Sequence, residues 1–221
     1  MSKTALITGA NRGIGLALAT QLATEGWQVI GVCRQSSDEL DATAERVITA
    51  LDVTRPEDVQ RLIDELGATR LDLLINNAGL LEDNVLGEID YDSLRRMMEI
   101  NAYAPLRVTE ALLDHLNKGA KVGLITSRMG SIADNDSGGR YGYRASKAAL
   151  NAFGKSLAVD LQPRGIAVAL LHPGYVKTRM VNFGGMITPE EAARGILQRL
   201  QALTVDNSGT FWHSNGEELP W

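Results

Sequence analysis

An α/β fold with a doubly wound parallel sheet, the Rossmann arrangement with helices on both faces, is predicted by three features of the 221-residue chain. Short runs rich in Val, Ile and Leu recur along it, each too short and too uniformly apolar for a strand with one wet face. They belong to central strands covered on both sides. Segments with helical spacing separate the runs, so strand and helix alternate, as βαβ units require. The turn after the first run carries three glycines, Gly9, Gly13 and Gly15, and opens directly into a helical segment.

Taken in order, the first strand is predicted at residues 5–8 and the first helix at 14–24, closed by Glu25-Gly26 with the glycine past the helix end. The second and third strands fall at 28–33 and 47–51. Thr54-Arg55-Pro56-Glu57 then starts a helix over 56–66 with proline in its first position. A fourth strand is predicted at 71–75, one long helix at 91–115, a fifth strand at 121–126 and a helix at 143–161. The sixth strand, 166–171, leads to Thr188-Pro189-Glu190-Glu191, which starts a helix over 189–203. Residues 211–216 read as a final strand and turn. No internal repeat, linker or charge block interrupts the series, and residues 1–221 read as one domain.

Composition excludes several classes of function. Apolar residues make up 44% and charged residues 22%, ordinary globular usage that argues against disorder. With 27 acidic against 22 basic residues the formal charge is −5, which opposes a nucleic-acid or anionic-membrane partner. Cys33 is the one cysteine, so no intrachain disulfide can form and a reducing compartment fits. The apolar run at the start is too short for a secretory signal, and no run reaches the ~20 residues of a membrane span. A cytoplasmic location is expected. His115, His172 and His213 are scattered and suggest structural or surface roles rather than a metal site.

The first βα turn, Thr8-Gly9-Ala10-Asn11-Arg12-Gly13-Ile14-Gly15, sits where a dinucleotide's pyrophosphate would meet a helix N-terminus. Glycines let the backbone approach the phosphates, and the free N–H groups and helix dipole favour their charge. An NAD site normally ends its second strand with Asp or Glu on the ribose 2′-hydroxyl. Here that strand ends in Arg34, with no carboxylate until Asp38. A carboxylate would repel a 2′-phosphate, whereas a guanidinium can bind it with paired, charge-assisted hydrogen bonds. Arg12 adds a second cation, and NADP(H) is expected in preference to NAD(H). The plainer alternative is that both arginines are solvated surface residues.

Tyr143 and Lys147 are four residues apart and lie on one face of the predicted helix. A tyrosine with a pKa of about 10 is a poor acid–base group at neutral pH, but a neighbouring ammonium lowers it. That tuning suits proton transfer at a substrate oxygen. Four more patterns accompany the pair: Asn76-Asn77-Ala78-Gly79 after the fourth strand, Asn101 inside an apolar-periodic helix, Ser127-Arg128-Met129-Gly130 after the fifth strand, and Pro173-Gly174-Tyr175-Val176-Lys177-Thr178 after the sixth. Carboxyl ends of strands are where open α/β sheets bind ligands. The ordered set, from residue 8 to 178, resembles the short-chain dehydrogenase/reductase family, and within it the small sniffer-like and C-factor-like carbonyl reductases.

The resemblance implies a role for each residue. Tyr143 would be the acid–base group, Ser127 would hydrogen-bond the substrate oxygen, and Lys147 would bind the nicotinamide ribose and lower the Tyr143 pKa. Asn101 would hold a water extending a proton relay to Lys147. Gly9, Asn11, Arg12, Gly13, Ile14 and Gly15 would form the phosphate turn, and Asp52, followed by Val53, would contact adenine. Asn77, Ala78 and Gly79 would line the cofactor groove, while Pro173, Gly174, Val176 and Thr178 would hold the nicotinamide end. Asp52 could equally cap the turn after it, and Ser131 is the rival to Ser127. The implied activity is NADP(H)-dependent hydride exchange with a small carbonyl or alcohol substrate.

Two stretches depart from the family's usual lengths. The segment between Ser127 and Tyr143 is long and turn-rich at 133–139, which predicts a flexible rim. The stretch 179–187, where longer members carry a lid, is short and holds Met180, Phe183 and Met186, suggesting an open apolar pocket of relaxed specificity. A dinucleotide-sensing protein with little turnover is the competing reading. A P-loop phosphotransferase is excluded because no Gly-Lys-[Ser/Thr] follows the glycines. A homodimer is expected, with Ala148, Ala149, Leu150, Ala152, Phe153 and Leu157 giving the Tyr143 helix apolar surface beyond one core stripe.

Overall fold

A computed structural model describes residues 2–221. Seven strands form one parallel sheet: β1 (Thr4–Thr8), β2 (Gln28–Val32), β3 (Arg46–Ile48), β4 (Leu71–Asn76), β5 (Leu116–Ile125), β6 (Ala167–His172) and β7 (Thr210–His213). Their order across the sheet is β3-β2-β1-β4-β5-β6-β7. The chain therefore winds outward from β1 to β3, crosses back over β1, and winds outward again from β4. The crevice opens where the winding reverses, at the carboxyl ends of β1 and β4.

Alternation along the strands divides the core between two faces. Leu6, Leu74, Val122 and Val168 point to one face, where α3 (Pro56–Leu66), α5 (Ala104–Ala111) and α6 (Tyr141–Leu161) cover them. Ile7, Ile75, Ala169 and Leu171 point to the other, beneath α1 (Gly13–Thr24), α2 (Asp38–Thr43) and α7 (Pro189–Ala202). The expected helix starts hold: Pro56 opens α3, and Thr188 opens α7 through a reciprocal capping box with Glu191. Of the six α6 residues expected to give surface for pairing, Leu150 and Leu157 turn into the core instead.

Three local features differ from expectation. The single helix over 91–115 is α4 (Tyr91–Met98), a π-helical turn at Glu99–Tyr103 and then α5. The break coincides with Asn101, a buried amide that a regular apolar stripe could not satisfy. Strand β5 begins at Leu116, pairing with Leu71 before a register shift, and Gly119 at φ +84° carries the irregularity through a polar stretch. Helix α2 was not expected; it is only six residues long and is capped by the Ser37 side chain on Leu40 N–H. No helix among the described residues is long and apolar enough to cross a membrane.

Candidate active site

The glycine turn sits between β1 and α1 with Gly9 at φ +66° and Gly13 at φ +55°. A β-carbon on Gly15 would lie 2.2 Å from the Gly9 carbonyl oxygen, so the helix start is folded hard against the turn. Two residues pin that turn to the end of β4. The Thr8 hydroxyl accepts hydrogen bonds from the Asn77 and Ala78 N–H groups at 3.0 and 3.1 Å, and the Asn77 amide donates to the Thr8 and Gly9 carbonyls. Arg12 occupies the N-cap of α1 with no side-chain cap, which leaves the first-turn N–H groups to an external anion. A β-carbon on Gly13 would meet the Thr178 methyl at 3.4 Å, so the turn and the 176–178 segment face each other across a narrow cradle. This backbone fits a dinucleotide pyrophosphate.

Arg12 and Arg34 are exposed, and neither makes an ion pair among the described residues. Arg34 lies close enough to Asp52 to favour its carboxylate. Partial burial opposes ionisation of Asp52, but the Thr54 hydroxyl and amide, with the charges of Arg34 and Arg55, hold its pKa below the usual value. One oxygen of Asp52 already accepts from Thr54 N–H and Thr54 Oγ1, the turn-capping geometry of the second reading, so the second oxygen is what remains for a ligand. Val53 packs in the core with Leu51 and Val59.

Ser127, Tyr143 and Lys147 come together at the carboxyl end of β5. Ser127 caps the one-turn helix Arg128–Gly130, and Gly130 packs so closely on α6 that a β-carbon would lie 2.8 Å from the Lys147 carbonyl carbon. That contact sets the Ser127 hydroxyl against the Tyr143 phenol. Ser131, the rival serine, is buried and accepts from Asp134 N–H, and it shapes the loop rather than the site. The Lys147 ammonium donates to the Ile125 carbonyl at 2.8 Å and lies 5.9 Å from the Tyr143 ring centre. Burial pulls its pKa down to about 7.

The expected depression of the Tyr143 pKa by Lys147 is not what the site does. Burial raises the Tyr143 pKa, and the opposing influences are Ser127 and the Arg140 guanidinium. A lysine that is itself desolvated to near neutrality is a weak source of positive field. The Asn101 amide donates to the Leu80 carbonyl and Ser146 Oγ, and its Oδ1 accepts from Leu80 N–H. The side chain holds the 79–80 loop against α6, and one lone pair of its Oδ1 remains for a further donor. Gly79 fits between them, since a β-carbon would stand 3.3 Å from Asn101 Oδ1 and 3.9 Å from Lys147 Nζ.

A cavity of about 440 Å³ opens in front of Ser127 and Tyr143. Ile14, Pro173, Gly174, Val176 and Thr178 line its inner side, which joins it to the glycine cradle. Of the three apolar residues expected to shape the lid, Met180 lines the cavity. Phe183 and Met186, 67% and 80% exposed, point away from it. Sequence reasoning gave no role to Thr8, Ser146 or Arg140 in this region. Arg140 carried a signal only in retrospect: it takes a left-handed backbone, φ +50°, immediately before α6, and it pairs with Asp83 at 3.0 Å on the cavity wall.

Comparison with known proteins agrees with this geometry. The chain is 43% identical over 224 residues to a 1-hydroxy-2-glutathionyl-2-methyl-3-butene dehydrogenase from Rhodococcus sp. strain AD45, covering 99% of both chains. It is 45% identical over 154 residues to the C-signal protein of Myxococcus xanthus, covering 68% of this chain and 93% of that one. It superimposes on the NADPH-bound carbonyl reductase from chicken fatty liver with a TM-score of 0.87 and 29% identity, over 100% of this chain and 99% of the other. The profile of the short chain dehydrogenase family matches residues 3–184, and the chain belongs to that family of oxidoreductases.

Proposed function

We propose that the chain is an NADP(H)-dependent carbonyl reductase with Tyr143 as its acid–base residue. The observation that carries this reading is the meeting of Ser127 and Tyr143 on one cavity wall, with Lys147 buried behind them, at the end of the crevice that the glycine turn opens. Gly9 to Gly15 would hold the pyrophosphate, Arg12 and Arg34 the 2′-phosphate, and Pro173 to Thr178 the nicotinamide end. When bound, NADPH supplies the hydride. The protein's own part is to orient the carbonyl and deliver a proton to its oxygen.

Ser127 and Tyr143 line the cavity together, where both hydroxyls would hold a carbonyl oxygen. Tyr143 is held as the neutral phenol by burial, which is the form a reduction consumes. Lys147 has a pKa of about 7 and can return that proton from Nζ near neutrality. Asn101 would hold the water that extends that return, its Oδ1 keeping one lone pair free beyond the Leu80 N–H. The open rim at 133–139 and the outward-turned Phe183 and Met186 support a broad range of carbonyl substrates. The Rhodococcus relative, named for dehydrogenation of a 1-hydroxy compound, supports alcohol–carbonyl exchange. Residues 1–221 then act as one domain, with a homodimer formed through the outer face of α6.

Titration of NADPH and NADH against wild type and Arg34→Ala tests the cofactor assignment. A ~10- to 100-fold loss of NADPH affinity with NADH unchanged is expected for one charge-assisted contact. Equal affinity of wild type for both cofactors would refute the arginine argument. Tyr143→Phe should bind NADPH normally and reduce a dicarbonyl at least ~100-fold more slowly. Tight NADPH binding with no turnover by wild type across a carbonyl panel would favour a dinucleotide sensor, a reading that the name of the Myxococcus relative supports.

A further inference from the structure

We propose that His172 is a substrate-contacting residue that selects carbonyl compounds bearing a second oxygen function, such as vicinal diketones and hydroxyketones. The inference rests on the reductase reading above and deepens it. His172 is the last residue of β6, and its ring lines the same cavity as Ser127 and Tyr143. Neither imidazole nitrogen has a hydrogen-bond partner among the described residues, and Nδ1 is enclosed as well. The enclosed Nδ1 is closed off from any ligand, so Nε2 is the nitrogen that remains to meet one. His172 is half-buried, and the cavity is among the spaces it borders.

The ring is fixed in place by its neighbours. β6 and β7 pair His172 with His213, whose ring meets it edge to face with centres 4.8 Å apart. His213 is itself held by the Asn215 N–H, which donates to its Nδ1 at 3.0 Å. Ser214 N–H donates to the His172 carbonyl at 2.8 Å, and Ser214 Oγ donates to the Pro173 carbonyl at 3.0 Å. Such preorganisation is what a selective contact needs.

The charged groups that face the ring are Arg128 and Asp134, which pair with each other, and His213. Burial, then His213 and Arg128, pulls the His172 pKa down to about 3, so the imidazole is neutral throughout the working range. A neutral imidazole has one donor and one acceptor nitrogen, and it can give a hydrogen bond to a ketone oxygen or take one from a hydroxyl. The reacting oxygen is already served by Tyr143 and Ser127. His172 therefore meets a different oxygen of the same small molecule.

The test compares 1-phenyl-1,2-propanedione with propiophenone, which has the same skeleton without the second oxygen. Where turnover of propiophenone is slow, it is measured as a competitive inhibitor. His172→Phe should lower kcat/KM for the dione by ~10-fold or more, mainly through KM, while the propiophenone constant moves by less than ~2-fold. NADPH affinity should be unchanged, and His172→Gln should recover part of the selectivity. Should the Phe variant fail to fold, His172→Ala carries the same comparison. Equal losses on both compounds, no loss on either, or weaker NADPH binding would overturn the proposal. Failure of wild type to reduce either compound while still binding NADPH would overturn the reductase reading and this inference together.

Discussion

Replacing Lys147 by methionine should destroy activity and make the cofactor-free protein more stable. The ammonium is almost fully buried, has one hydrogen bond, to the Ile125 carbonyl, and has no carboxylate partner. Its pKa falls from 10.5 to about 7, and at ~1.4 kcal/mol per pH unit the charged form carries a burial cost of at most ~5 kcal/mol. Methionine keeps the unbranched apolar stem but leaves the Ile125 carbonyl unpaired, at about 1–3 kcal/mol. The expected net gain is ~2–4 kcal/mol at pH 6–7. Between about 7 and 10.5 the unfolded state binds the proton more readily than the folded one, so wild-type stability rises with pH across this window. The advantage of Lys147→Met must therefore shrink toward pH 10. Urea unfolding of both proteins at a series of pH values, without cofactor, measures it. A difference that does not vary with pH, or a variant less stable at pH 6–7, would refute the view of Lys147 as a strained, desolvated amine.

Three further substitutions separate the parts of the site. Thr8→Val keeps shape but orphans the Asn77 and Ala78 N–H groups, so stability should drop by about 1–3 kcal/mol and NADPH titration should show weaker binding. Gly130→Ala places a methyl 2.8 Å from the Lys147 backbone, and the forced shift should cost about 1–3 kcal/mol in urea unfolding. Because that shift moves Ser127, kcat in a carbonyl assay should fall while NADPH affinity holds. Thr188→Ala breaks the capping box of α7, a helix that does not line the cavity, and should lower stability by ~1 kcal/mol with unchanged kcat/KM.

The parts of this protein legible in its sequence are those that depend on neighbours in the chain. Apolar runs such as 71–75 declare a strand buried on both faces wherever its partners are, and Tyr143 and Lys147 share a helix face by spacing alone. The misreadings concern what distant segments do to one another. The hold of Asn101 on the 79–80 loop is invisible in the sequence because its partners, Leu80 and Ser146, stand 21 and 45 residues away. Lys147 looked like a full positive charge because spacing says nothing of desolvation, and once buried it no longer sets the Tyr143 pKa, a task that passes in part to Arg140. His172 and His213 looked scattered for the same reason. The crossover that makes β6 and β7 parallel neighbours brings both rings to the same end of the sheet, where they meet edge to face. In a doubly wound fold the site is assembled at strand ends, so its chemistry is set by contacts between segments far apart in the chain. The burial that creates the cavity also sets the protonation state of the groups around it.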